Sequence, residues 1–421
     1  MRRRDFIAAS GAAFLGARAS LAGQEDPVGE SQRMPEPAVV LPTDGVPREG
    51  KEKRIAAITT AYFKYSHADD IITRFIEGYS IIGRSHIPHC KVVSLYVEQF
   101  PETDIGRGMA ARYKIPMFDS PQKALTLGGR ELAVDGVLLV GEHGDYPENE
   151  KGQKLYPRRR LFEEIVKVFR ASGRSVPVFN DKHLSYSWED SKWMVGASRE
   201  LGFPMMAGSS VPVTWRRPPL ELKAGTELEG SLSVGYGGVE SYGFHTLEAL
   251  QIFAERRKGG ETGVRAVQCL EGPEAWKAAD EGRWSLDLLE AALERIPGRR
   301  GRLREEDAGA VVFLVEYKDG LRAAAYLSRR HAAEWAFAGK IRGRARPATT
   351  WFYLPKPQRD HFGFLSNHIE KMFLTGRPSY PVERTHLTTG MLAFLMDSRA
   401  AGGRQIETPE LEAAGYRITG T

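Results

Sequence analysis

Between residues 54 and 210 short apolar runs alternate with amphipathic stretches. "RIAAITT" (54–60), "KVVSLYVEQ" (91–99), "VDGVLLVG" (134–141), "VPVF" (176–179) and "FPMMAGSS" (203–210) are strand-length and largely apolar. Between them, 66–80 sets Ile71, Ile72, Phe75 and Ile76 on one side, and 104–116 reads as a helix ending near Ile115-Pro116. Residues 158–172 form a strong amphipathic pattern closed by Gly173, and 187–202 opens on a Ser-x-x-Asp capping pattern. Apolar strands alternating with helices predict βαβ units, and therefore a parallel sheet with both faces covered. The expectation for 51–212 is a Rossmann-like, doubly wound α/β domain.

Beyond Pro212 the alternation stops. "AGAVVFLVEYKDGLRAAAYLS" (308–328) is two strand runs around Lys318-Asp319-Gly320, a hairpin signal. "GSLSVGYGG", "GVRAVQCLEG" and "TTWFYLP" add strands, and 245–257 adds a helix. Residues 361–376 place Phe362, Leu365, Ile369 and Phe373 on one face, and 383–403 carry a similar stripe. The expectation for 213–421 is an α+β domain with a mostly antiparallel sheet and two closing helices, serving substrate binding and oligomerisation.

The N-terminus changes the reading of charge. "MRRRDFIAASGAAFLGARASLAGQ" has a basic start, an apolar stretch too short to span a bilayer, and small residues at 19–22. Arg3-Arg4-Asp5-Phe6-Ile7 resembles a twin-arginine export signal, so residues 1–22 are expected to be a cleaved leader and the mature chain periplasmic, with the twin-arginine machinery as a partner. Losing 1–22 removes four Arg and one Asp, and the net charge falls from +5 to +2. No basic block interleaved with aromatics remains, so nucleic acid is not an expected partner. Residues 23–50, rich in Pro, Gly and charge, read as a linker or arm. Cys90 and Cys269 are too few for a disulfide scaffold and read as buried thiols.

Candidate chemistry gathers where the strands end. "VFNDKHLS" (178–185) delivers an acid, an ammonium and an imidazole at the end of an apolar run. Glu98, Glu142, His143, Asp145, Asp181 and His183 all fall at strand ends, where doubly wound proteins bind ligands. His143, Asp145 and His183 are the candidate metal ligands, although no pair has a helical ligand spacing, and a set of ordinary salt-bridged loop residues is the simpler reading.

Four stretches resemble the glucose–fructose oxidoreductase/inositol dehydrogenase (Gfo/Idh/MocA) family: "NDKHLS" (180–185), "GGVESYGFHTLEALQIF" (237–253), the closing helices over 361–406, and more weakly "AARYKIPMFDSPQKAL" (110–125). The resemblance spans roughly 52–410. It implies a sugar or polyol oxidoreductase using NAD or NADP, with Lys182 binding the reacting alcohol and His245 exchanging its proton. It places the cofactor against Thr59, Thr60, Lys64, Glu98, Gly141 and Glu142, and implies pairing of subunits through the second sheet. The family's acid before the histidine falls on Ser241, leaving Glu240 as the acid to orient His245. The family's glycine-rich phosphate turn reads "ITTAYFKYSHADD" (58–70) here, with no glycine and with Asp69 and Asp70 at the helix start. Two rival expectations keep the same site: a lyase or hydrolase of sugar derivatives without NAD, with or without a metal, and a non-catalytic carbohydrate-binding scaffold.

Overall fold

The five apolar runs of the first half form one sheet in the computed structural model, which describes residues 41–48, 50–356 and 359–418. The proposed leader, and the arm as far as residue 40, lie outside the described residues. Strands β1 (Lys53–Ala61), β2 (Cys90–Gln99), β3 (Gly136–Val140), β4 (Val178–Asp181) and β5 (Met205–Gly208) lie in the order β2-β1-β3-β4-β5. All neighbouring pairs are parallel. The crossovers carry α1 (His67–Glu77), α2 (Gly106–Tyr113), α3 (Pro121–Thr126), α4 (Arg158–Ser172) and α5 (Trp188–Glu200).

Side chains alternate across the sheet. Ala56, Ile58, Val137 and Leu139 pack with Leu161, Phe162, Ile165 and Met194 of α4 and α5. Ile55, Ala57, Leu138 and Val140 face the other way, onto Ile71, Ile72 and Phe75 of α1. That second face is completed by α9 (His361–Thr375), whose Leu365, Ile369 and Phe373 join the same cluster. The apolar stripe on 361–376 is therefore the lid of the first sheet, although sequence order groups it with the second half. The strand order reverses between β1 and β3, so the carboxyl ends of these strands border the crevice where open α/β sheets bind ligands.

The chain changes sheet between Gly208 and Trp215. The second sheet contains β6 (Trp215–Arg217), β7 (Leu228–Tyr236), β8 (Val264–Glu271), β9 (Val311–Tyr317), β10 (Arg322–Ser328), β11 (Trp335–Ile341), β12 (Ala348–Tyr353) and β13 (Ile406–Glu407). Its order is β13-β8-β9-β10-β7-β11-β12-β6, antiparallel except for the parallel pair β10 and β7. One face buries α6 (Ser241–Ala254) and α10 (Val382–Ala400), through Phe244, Leu247, Leu387 and Met391.

The other face is covered by α7 (Pro273–Asp280), α8 (Leu286–Leu293) and the turn between them, which set Trp276, Leu288, Leu289 and the turn's Trp284 on Leu232, Val234, Tyr326 and Ala336. These two eight-residue helices are too short to stand out as a periodic pattern. Cys90 and Cys269 are buried and unpaired. Among the described residues no helix is long and apolar enough to cross a membrane.

Candidate active site

β4 ends on Asp181, and Lys182 then adopts a left-handed backbone conformation (φ 60°). A residue with a Cβ is disfavoured there by about 1 kcal/mol or more, so the surroundings must impose it. The Lys182 N–H donates to the Gly208 carbonyl at 3.1 Å, and the Asn180 side-chain amide donates to the carbonyls of Asp181 and His183 at 3.1 and 3.3 Å. Leu184 N–H donates to Thr389 Oγ1 of α10 at 3.1 Å. The turn thereby directs three consecutive polar side chains to three different partners.

The Lys182 ammonium donates to Glu142 Oε1 at 2.8 Å, and the other Glu142 oxygen accepts from Arg158, the first residue of α4. All three side chains are buried. Burial alone would raise the Glu142 carboxyl, but Lys182 and then Arg158 hold it well below the usual carboxylate range. Gly141 permits this packing: a Cβ there would lie 2.8 Å from Arg158 Cγ. Arg158 is not among the candidate site residues of the sequence analysis, where 158–172 reads only as an amphipathic helix. Its cue is position, since a cation at a helix N-terminus opposes the helix dipole and needs another reason to be there.

His183 faces Arg158 Nη1 at 3.3 Å and Glu240 Oε1 at 3.2 Å, with burial and then Arg158 lowering its basicity. Glu240 is therefore the partner of His183, not the orienter of His245. His245 sits in the first turn and a half of α6, after a tight turn at Gly237 (φ 88°), where a Cβ would lie 2.8 Å from the Tyr242 ring. Its Nδ1 is buried without a hydrogen bond, and Glu248 Oε2 lies 3.9 Å away, one turn further along the helix. Positions four before and three after a residue share its helix face. The acid beside this histidine thus stands at the later of the two places. Glu248 accepts from Ser209 N–H at 3.2 Å and from Ser209 Oγ at 2.5 Å, and burial raises its carboxyl to about 7. Burial, with Lys182 and His67 adding to it, drives His245 well below the ordinary imidazole range and leaves it neutral.

The end of β1 is built differently. The Thr59 hydroxyl donates to the Val140 and Ala61 carbonyls, and that of Thr60 to the Glu142 carbonyl at 2.8 Å. The first ties β1 to β3 and the second ties β1 to the segment after β3, so both hydroxyl protons are engaged within the protein. Lys64 is exposed and pairs with Asp69 at 3.1 Å. Glu98 accepts from Tyr146 at 2.8 Å and from Arg160. Asp145 is exposed, and its backbone N–H donates to Gln99. Among the described residues no three His, Cys, Asp or Glu side chains come together as a metal-ligand set, so His143, Asp145 and His183 do not form one.

A dinucleotide diphosphate needs open backbone N–H groups and a free positive helix end. Here Phe63 N–H donates to Ser66 Oγ, Ser66 N–H to the Phe63 carbonyl, and Asp69 and Asp70 N–H groups to Ser66. The buried Tyr62 side chain fills the turn, its hydroxyl 2.7 Å from Thr73 Oγ1, and Ile105 N–H closes onto the Tyr62 carbonyl at 2.8 Å. Asp69 and Asp70 are buried in the first turn of α1. These residues do not fit a diphosphate in the way a glycine-rich turn does. The inner end is different: there the Lys182 ammonium and the His245 imidazole lie within electrostatic reach of one another.

No family model matches the chain, and no curated protein is significantly similar to it. Solved structures are similar in fold. GenD2 from gentamicin A biosynthesis, in complex with NAD, is 14% identical, with 86% of this chain and 99% of that one covered and a TM-score of 0.53. An oxidoreductase from Agrobacterium radiobacter, in complex with NAD+, L-tartaric acid and magnesium, is 13% identical over 85% of this chain and 98% of that one, with a TM-score of 0.50. The fold is that of the family the sequence resembles. The apo scyllo-inositol dehydrogenase from Lactobacillus casei, 10% identical over 85% and 98% of the two chains with a TM-score of 0.50, shares it as well.

Proposed function

We propose that this chain is an exported oxidoreductase acting on a hydroxyl group of a small polyhydroxylated substrate, with NAD(P) as hydride partner. The observation that carries the reading is Lys182, presented in a strained turn at the end of β4 with its ammonium 2.8 Å from a buried carboxylate. A buried ammonium that can also donate to a substrate oxygen stabilises the alkoxide formed as the hydroxyl proton leaves. His245, kept neutral by burial, has a lone pair with which to accept a hydrogen bond from that hydroxyl. NAD(P) supplies the hydride-accepting ring when bound. Its affinity is expected to be low, because the Tyr62–Ser66 turn offers its phosphates no cradle.

That turn also favours a second reading, acid–base elimination on an oxidised sugar by the same residues without a nucleotide. Nucleotide release on denaturation, together with NAD+ titration by calorimetry and scyllo-inositol-dependent absorbance at 340 nm, separates the two. Saturable NAD(P) binding and turnover that Lys182→Ala abolishes support the oxidoreductase. No nucleotide binding up to millimolar concentration would overturn it. Export is tested by fusing residues 1–30 to a folded reporter and asking whether Arg3→Lys/Arg4→Lys retains it in the cytoplasm.

A further inference from the structure

A further imidazole, beside His183 and His245, stands in the site and has no part in that reading. His67 is the first residue of α1, and its ring is wedged edge-on between His143 and Phe362, each 5.3 Å away between centroids. Its Nδ1 lies 2.7 Å from Oδ2 of Asp181, the last residue of β4. Asp181 is fully buried, and its other oxygen has no hydrogen-bond partner. The His67 side chain keeps 12% of its surface exposed, so the dyad has a dry carboxylate behind and an imidazole that solvent reaches in front.

His67, His143 and His245 differ in what supports a proton. His143 is pushed down to about 4 by burial and by His67, and its buried Nε2 has no partner. His245 is likewise driven down, with Glu248 beyond hydrogen-bond length at 3.9 Å. Of these, His67 alone has a carboxylate in direct hydrogen-bond contact; His183 also faces one, Glu240 at 3.2 Å, but through the same Nε2 that Arg158 approaches, and its ring is buried. A carboxylate on Nδ1 fixes that nitrogen as the N–H donor, leaves the lone pair on Nε2, and stabilises the imidazolium once Nε2 takes up a proton.

We propose that His67, oriented by Asp181, is the principal acid–base group of this site, with His245 a neutral hydrogen-bonding group beside it. In the forward direction the O–H bond of a substrate hydroxyl breaks, its proton forms the Nε2–H bond of His67, and the oxygen keeps the electron pair as alkoxide. In reverse the imidazolium returns the proton to an alkoxide. The inference rests on the function proposed above only for the substrate hydroxyl. The groups whose charges reach His67 are Asp70 on its own helix, Glu142 and His143 after β3, Asp181 on β4, His245 on α6 and His361 on α9.

The test needs neither substrate nor nucleotide, so its outcome is separate from that of the proposed function. In the full chain with 15N-labelled histidine, His67 is expected in the Nδ1–H tautomer when neutral, and Asp181→Asn is expected to weaken that preference. Carbethoxylation mapped by mass spectrometry adds a measure that a merely structural pair would not give. His67 should react faster than His143 and His245, and Asp181→Asn should slow it about tenfold. An Nε2–H tautomer, or a His67 that reacts no faster than His143 and His245, overturns the proposal. If Asp181→Asn does not fold, His67→Asn replaces it: the fast-reacting fraction must vanish, and its survival is equally fatal.

Discussion

The ends of β1 and β4 occupy equivalent places in one parallel sheet, yet they have been built for opposite purposes. At the end of β4 the chain holds a strained lysine and buries it against Glu142, with Arg158 on the other carboxylate oxygen. At the end of β1 it fills the turn with Tyr62, satisfies its N–H groups internally with Ser66, and sets two acids in the helix start. The difference teaches that the reacting-group end of such a site and its phosphate cradle are separable. One depends on a few directed side chains, and the other on bare backbone that any aromatic residue can close.

The largest expected effect lies at the β4 end. Glu142→Gln leaves Lys182 and Arg158 buried without their carboxylate, which should cost about 3–5 kcal/mol in urea unfolding. A loss below 1 kcal/mol would mean the cluster is open to water and the contrast with β1 is false. Next come two carboxyls with distinct pH windows. Burial raises Glu248 from 4.5 to about 7, and burial also raises Asp70, in the β1–α1 region, from 3.8 to about 6 against Arg359 and Arg74.

A raised carboxyl means the folded state holds its proton longer than the unfolded one. The stability it contributes is therefore present below the unfolded value and lost as pH rises through the folded one. Glu248→Gln should remove a decline on the order of 3 kcal/mol between pH 4.5 and 7, and Asp70→Asn a similar one between 3.8 and 6. Denaturant midpoints measured across pH 4 to 8 distinguish the windows.

Opening the turn is a smaller change. Phe63→Gly with Tyr62→Ala should strengthen NAD+ binding on the order of tenfold, about 1.4 kcal/mol, in calorimetry, if the aromatic turn is what bars the phosphates. The smallest effect concerns strain. Lys182→Gly should be more stable than Lys182→Ala by about 1 kcal/mol, because glycine accepts the left-handed conformation that alanine resists.

Much of the first sheet was legible. The boundaries of 158–172 and the Ser187 cap emerge from periodicity and capping residues, since both are local. Lys182 was legible as the polar residue a strand end delivers. Its partners were not, because Glu142 and Arg158 lie 40 and 24 positions before it and meet it only through strand order. Glu240 was misplaced for a related reason. Adjacency in sequence set it beside the family's acid position, whereas helix geometry turned it to His183 and left Glu248 next to His245. His67 gave no sequence signal beyond its place after a capping serine, and Asp181, 114 residues on, gives it meaning.

By itself, then, the sequence determined which segments are strands and helices, that the first half is doubly wound, that Lys182 stands at a strand end, and that the phosphate turn lacks glycine. These depend on patterns within a dozen residues, where period and turn chemistry act. The tertiary structure decided which charges pair, which imidazole has a carboxylate behind it, and that α7 and α8 cover the second sheet from within the chain. Those outcomes depend on burial and on distances between remote segments, and a buried charge takes its behaviour from the partner the fold brings to it.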